Sequence, residues 1–108
     1  EVAKNDAGLK IAEVYIANVG QDTNSNVIFA SGVITNVVNN SGSCVYTFTN
    51  GSQTVTAEAS VLPSAKETIC GNVEVSTAQF SAGEWSVKLN FKSDYAEGES
   101  DATTFTIQ

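Results

Sequence analysis

The sequence contains no histidine and no methionine, and it has only one proline, one tryptophan and two cysteines among 108 residues. Histidine is the commonest general base and the commonest metal ligand in proteins, so its absence removes the usual parts of most catalytic and metal sites. A serine nucleophile would have to draw its base from lysine or a carboxylate, and no SxxK or GxSxG motif occurs. We therefore expect neither enzymatic activity nor a cofactor.

Positive charge is scarce as well. Five lysine and arginine residues stand against 12 aspartate and glutamate residues, which gives a formal net charge of -7. Such a surface repels the phosphate backbone of nucleic acids and anionic lipids alike. No apolar run approaches the roughly 20 residues of a membrane-spanning helix. The sequence thus predicts neither nucleic acid binding nor membrane insertion by this segment.

The length and composition fit one folded domain. A chain of 108 residues with 42% hydrophobic residues can bury a single core without the help of a metal. We expect one domain over residues 1–108, in which residues 1–8, EVAKNDAG, form a flexible lead-in.

Alternation of apolar and polar residues dominates the chain, in runs rich in Val, Ile, Thr, Phe and Tyr that are separated by Gly, Asn and Ser clusters. This period of two predicts strands, and no stretch shows helical spacing. The clearest run is WSVKLNF, in which Trp85 shares an apolar face with Val87, Leu89 and Phe91. The predicted strands are residues 9–19, 27–37, 44–49 (CVYTFT), 53–61, 68–75 (TICGNVEV), 85–91 (WSVKLNF) and 101–108 (DATTFTIQ). Seven such strands predict an all-β, Greek-key, immunoglobulin-like β-sandwich.

Two residues mark the ends of predicted strands. Asn50 and Gly51 form an Asn-Gly pair between two strand patterns, which predicts a hairpin with both residues at the centre of a type I′ turn. Pro63 lacks the N–H that an interior ladder position donates, so it is expected to stop the strand that follows the hairpin.

The two cysteines, Cys44 and Cys70, are 26 positions apart. They lack the short CxxC spacing of zinc or redox sites, and the chain has no histidine to complete a Cys/His metal site. This favours a structural disulfide over a metal clip or a reactive pair. In the chain-entropy model such a bridge stabilises the fold by roughly 3.5 kcal/mol, and it indicates an oxidising compartment.

A set of motifs resembles the Ig-like modules of bacterial cell-surface proteins. It comprises C-x-Y-T-F-T-N-G-S, then C-G-N-V-x-V, then F-x-x-G-x-W-x-V-x-L-x-F, and a final T-F-T-I. The resemblance covers Cys44 to the end of the chain and implies a disulfide-stapled sandwich carried in extracellular stalks or adhesins. Trp85 follows both cysteines instead of lying between them, so the bridge is expected to depart from the usual pair of central strands.

An acidic stretch provides the weak candidates for a metal site. Asp94, Glu97, Glu99 and Asp101 surround one glycine in a predicted hairpin loop, and carboxylate oxygens are ligands that calcium prefers. The spacing matches no EF-hand loop, and solvated surface carboxylates are the favoured interpretation. Tyr95 lies in the same stretch, off the apolar pattern, and is a weak candidate for a ligand contact. A second oxygen-rich loop is GQDTNSN. Its Asp and Asn side chains are expected to hydrogen-bond to the backbone of a turn.

These observations favour a non-catalytic extracellular Ig-like module of a bacterial surface or secreted protein, which acts as a spacer or as part of an adhesive stalk. The alternative is a recognition module whose loops at one pole bind a glycan or a cell-surface protein, with or without calcium. A pilin-like subunit is a third hypothesis. The expected location is extracellular or on the cell surface, with neighbouring modules in a longer chain.

Overall fold

The structure is a computed structural model that describes residues 10–36, 42–94 and 96–108. The predicted lead-in, residues 1–8, and the candidate contact Tyr95 lie outside these ranges. The described residues form ten strands and a single 3-10 turn at Thr77–Gln79. The strands are β1 (Lys10–Ile11), β2 (Val14–Asp22), β3 (Val27–Ile34), β4 (Ser43–Asn50), β5 (Gln53–Ala59), β6 (Val61–Pro63), β7 (Thr68–Ser76), β8 (Gly83–Lys92), β9 (Ala96–Glu99) and β10 (Thr103–Ile107).

The strands form two sheets that pack face to face, so the predicted all-β class is confirmed. One sheet has the order β1-β9-β8-β4-β5, and β10 continues beside β8 where β9 ends. We call it the six-stranded sheet. The four-stranded sheet has the order β2-β3-β7-β6. All pairings are antiparallel except that of β1 with β9.

The structure has ten strands in its described part where the sequence predicted seven, and three local features account for the difference. The first predicted strand is divided at Ala12 and Glu13, where the chain leaves the six-stranded sheet as β1 and enters the four-stranded sheet as β2. The fourth is divided at Ser60, where β5 passes into β6 in the opposite sheet. The stretch around Gly98, predicted to be a turn, forms β9. Pro63 is the last residue of β6, whereas the strand that follows the hairpin, β5, already ends at Ala59, so Pro63 is not what stops that strand.

The core lies between the sheets and is built by the inward positions of both. On β8, Trp85, Val87, Leu89 and Phe91 are at most 1% exposed, which confirms their predicted face. The indole Nε1 of Trp85 donates to the carbonyl of Ser81 at 2.8 Å, so its one polar atom is satisfied. The aromatic rings of Phe48, Phe80, Trp85 and Phe105 meet edge to face, an arrangement that aromatic pairs favour.

The predicted disulfide is confirmed, and it joins the two sheets. Cys44 lies on β4 of the six-stranded sheet and Cys70 on β7 of the four-stranded sheet, with a Cα–Cα distance of 5.8 Å. Both cysteines are fully buried. The bridge holds the two sheets together near the first pole, since Cys44 pairs with Phe91 close to the end of β8, and its burial shields it from reagents in solvent.

The predicted hairpin joins β4 and β5, but its turn is shifted by one residue. Asn50 is the last residue of β4 and pairs with Gln53, so the two turn residues are Gly51 and Ser52. Gly51 has φ 56°, whereas Ser52 has no positive φ. Glycine at the first central position alone is typical of a type II′ turn, so the predicted type I′ turn is wrong.

The two ends of the described chain lie at opposite poles of the sandwich. Lys10 pairs with Ala96 beyond the end of β8, at the pole that also carries residues 64–67. We call this the first pole. Ile107 pairs with Gly83 at the start of β8, and the following Gln108 bonds to Gln21 Oε1, at the second pole. The molecule measures 44 × 27 × 16 Å.

Candidate functional site

The acidic stretch is spread along β9 and the residues beside it instead of closing into one cluster. Asp94 precedes the strand, Asp101 follows it, and Glu97 and Glu99 lie on it. Glu97 faces Lys92 at 3.7 Å, and Glu99 faces Lys88 at 3.8 Å and accepts from Asn90 at 3.3 Å. Within residues 10–36, 42–94 and 96–108 no group of three or more acidic or cysteine side chains is placed to hold a metal ion. The structure therefore brings lysines, and not further carboxylates, to these two glutamates.

The second oxygen-rich loop makes the local hydrogen bonds that the sequence predicts for it. Asp22 Oδ1 accepts from the backbone N–H groups of Asn24 and Ser25, and Asp22 Oδ2 accepts from the hydroxyl of Ser25. Asn26 adopts φ 58°, a conformation that asparagine tolerates better than most residues. These oxygens stabilise the turn between β2 and β3.

A single tyrosine is the most perturbed titratable group in the described chain. Tyr46 is fully buried, its hydroxyl donates to the carbonyl of Gly71 at 3.3 Å, and burial raises its pKa well above the ordinary value of 10.0. The hydroxyl therefore stays protonated at all ordinary pH values. It links the two sheets next to the disulfide through its hydrogen bond to a backbone carbonyl.

The feature that the sequence did not predict is a row of apolar side chains across the outer face of the four-stranded sheet. The strand registers place Tyr15 opposite Val33, Val33 opposite Ile69, and Ile69 opposite Leu62. Tyr15 is 53% exposed, Leu62 52% and Ile69 38%, while Val33 is half-buried between them. We call these four residues the apolar row. It crosses every strand of the sheet.

Polar residues border the apolar row on both sides. Towards the first pole, Glu13 and Glu67 come two residues before Tyr15 and Ile69, and Glu13 accepts from the Thr35 hydroxyl at 3.3 Å. Towards the second pole, the next pair across β2 and β3 is Asn18 and Ser31. An exposed apolar stripe between polar margins has the layout of an interaction surface.

A local signal for the row exists in the sequence. Tyr15, Val33 and Ile69 each sit between two residues that face the core, so VYI, GVI and TIC are apolar or small at three consecutive positions. A solvated outer face would carry a polar residue there. The sequence does not show that these three positions lie side by side, because this depends on the pairing of strands that are far apart in the chain.

The described residues contain no helix of the length and apolarity needed to cross a membrane. Comparison of the chain with known proteins found no matching family model, no matching curated protein and no matching solved structure.

Proposed function

We propose that the chain is a non-catalytic, immunoglobulin-like module of an extracellular bacterial surface or secreted protein, and that it acts as a spacer or as part of an adhesive stalk. The observation that carries the proposal is the path of the described chain from Lys10, which pairs with Ala96 at the first pole, to Ile107, which pairs with Gly83 at the second pole. Modules connected in this way line up end to end, and each adds up to about the 44 Å of its long axis.

The strand order supports the immunoglobulin-like part of this proposal. One sheet runs β2-β3-β7-β6 and the other β1-β9-β8-β4-β5. In an immunoglobulin sandwich the corresponding sheets are ABED and GFC with an added C′ strand. In this alignment the disulfide lies between the C and E positions, away from the usual B and F pair.

The disulfide supports a load-bearing role and an oxidising location. Because Cys44 and Cys70 are buried and joined, the chain between them stays closed when the ends are pulled. Disulfides persist in oxidising compartments, which is what an extracellular module experiences.

The test is single-molecule stretching of the domain between two reference domains of known length. The oxidised domain should unfold in one step, and the Cys44→Ser/Cys70→Ser variant should release more chain. The 26 residue steps within the bridge correspond to roughly 90 Å of extra contour length.

Unfolding of the oxidised domain at forces below those of the reference domains would reject the load-bearing role. An equal contour length for the two forms would show that the bridge lies outside the mechanically protected chain. Forced unfolding follows the unfolding rate, so the stretching rate must be matched between the two proteins.

A further inference from the structure

We propose that the outer face of the four-stranded sheet is a docking surface for a basic amphipathic helix of another polypeptide. The helix would lay its aliphatic side chains along Tyr15, Val33, Ile69 and Leu62 and direct Lys or Arg side chains at Glu13 and Glu67. This interaction goes beyond the spacer role, and it is located on a sheet face instead of the loops at a pole.

The first argument is the concentration of exposed apolar surface. Among the described residues, four large hydrophobic side chains are exposed, and three of them, Tyr15, Leu62 and Ile69, lie in the apolar row. Scattered exposed apolar residues are normal, but a contiguous stripe indicates an interaction site. The core does not require these side chains, because the inward positions of the same strands already fill it.

The second argument concerns the backbone of the partner. The apolar row lies on a sheet face, where the backbone N–H and C=O groups lie in the plane of the sheet and point at neighbouring strands instead of outwards. Those of β3 and β7 are paired on both sides, and only β2 and β6 are edges. An extended peptide gains its backbone hydrogen bonds at a sheet edge and not on a face. A helix satisfies its own backbone. Four strands spaced about 4.8 Å apart make a row about 14 Å long, which a helix of about three turns spans.

The third argument is charge. On and beside this face the described residues include four carboxylates, Glu13, Asp22, Glu67 and Glu74, against the single amine of Lys66. Lys10, Lys88 and Lys92 lie on the other sheet, where Lys88 and Lys92 face Glu99 and Glu97. A second copy of this acidic chain would set carboxylates against carboxylates, which costs free energy at an interface. A helix with Lys or Arg beside its apolar face complements the surface.

The experiment uses two synthetic helices of equal length with the same leucine face, one with lysines and one with glutamates on its flanks. Binding to the oxidised domain is measured by fluorescence anisotropy, and the contacted residues are identified from backbone amide shifts in NMR spectra. We expect the lysine helix to bind at least about ten-fold more tightly than the glutamate helix, with shifts confined to β2, β3, β6 and β7.

The matched variants separate the row from non-specific attraction to an acidic protein. Leu62→Ser and Ile69→Ser should each weaken binding by about ten-fold or more, as loss of a central apolar contact does. Val45→Ser removes a partly buried apolar residue from the outer face of the six-stranded sheet and should leave binding unchanged. Glu13→Gln with Glu67→Gln should weaken binding and reduce its sensitivity to salt.

Several results would overturn the proposal. These are equal affinity for the two helices, amide shifts spread over the six-stranded sheet, equal weakening by Val45→Ser, or no binding of the lysine helix. Concentration-dependent dimers that Ile69→Ser abolishes would assign the row to a second copy instead. None of these results changes the outcome of the stretching experiment. The docking proposal can therefore be rejected without rejecting the spacer role, and the reverse also holds.

Discussion

The outer faces of the two sheets differ, although their inner faces share one core. On the six-stranded sheet the outward positions of β4, β5 and β8 carry mainly hydroxyl and other polar side chains, although Val45 on β4 and the exposed Ile11 on β1 are apolar. Thr49 pairs with Thr54 and with Ser86, and Thr47 pairs with Thr56. On the four-stranded sheet the corresponding positions include the apolar row. Threonine keeps the β-branched shape that suits a strand while its hydroxyl remains hydrated, so the first face is adapted to water.

The comparison shows which apolar residues folding requires. Both sheets fulfil the needs of the core with their inward residues, and one of them shows that a polar outer face is compatible with this fold. The apolar row on the other sheet therefore has an origin outside the core. Substitutions on the inner faces, between the sheets and on the outer faces test this distinction, and they are expected to have effects of decreasing size.

Trp85→Ala should produce the largest loss, about 3–5 kcal/mol in the free energy of unfolding, because a fully buried indole is replaced by a cavity. Its ring packs edge to face on Phe80 at 4.9 Å, so that contact is lost too. Urea denaturation followed by circular dichroism measures the change. Trp85→Phe keeps much of the volume and should lose less. An unchanged midpoint for Trp85→Ala would show that the inner face of β8 is not the core.

Removal of the bridge between the sheets should have the next largest effect. The Cys44→Ala/Cys70→Ala variant should lose about 3.5 kcal/mol, since it frees a loop of 26 residue steps in the unfolded chain. Ellman's reagent should find no free thiol in the unreduced protein, whether native or denatured. In the native protein a mild reductant should act slowly, at the rate at which the buried bridge becomes exposed by unfolding. Rapid reduction without loss of structure would contradict the buried position of the bridge.

The free energy of unfolding should depend on pH through Tyr46, whose hydroxyl lies between the sheets. Its pKa is raised in the folded state by burial, so the protonated hydroxyl is favoured by folding. The stability it contributes is fully present below the unfolded pKa of about 10 and falls as pH rises towards the folded pKa. Urea midpoints should therefore decrease above about pH 10 in the wild type. In Tyr46→Phe the midpoint should decrease less. A decrease of the same size as in the wild type would show that other titrating groups cause it.

Local patterns in the sequence predicted the features that depend on a single strand or turn. The alternation through Trp85, Val87, Leu89 and Phe91 was sufficient to assign their inward face, and the spacing of Cys44 and Cys70 was sufficient to assign the disulfide. The Asn50-Gly51 pair predicted the hairpin but not its register, because Gly51 satisfies a type II′ turn as readily as a type I′ turn.

Features that depend on distant strands were not predicted. The chain changes sheets at Ala12–Glu13 and at Ser60 because of the partners that β9 and β7 provide, and no residue there is a strong strand breaker. The apolar row likewise requires the registers of three strand pairs, so Tyr15 and Leu62 appear unrelated in the sequence. The acidic stretch forms β9 instead of the predicted loop, and its sequence gives no sign that Lys88 and Lys92 face Glu99 and Glu97.

Leu62→Ser and Ile69→Ser should have the smallest effects, about 0.5 kcal/mol for the first and at most about 1 kcal/mol for the more buried Ile69. Urea denaturation, with Val45→Ser as the outer-face control, provides the measurement. Small losses would mean that these side chains serve neither sheet pairing nor the core, which is what the docking proposal requires. Losses as large as that of Trp85→Ala would make the row part of a second core, and the contrast between the outer faces would then reflect stability instead of binding.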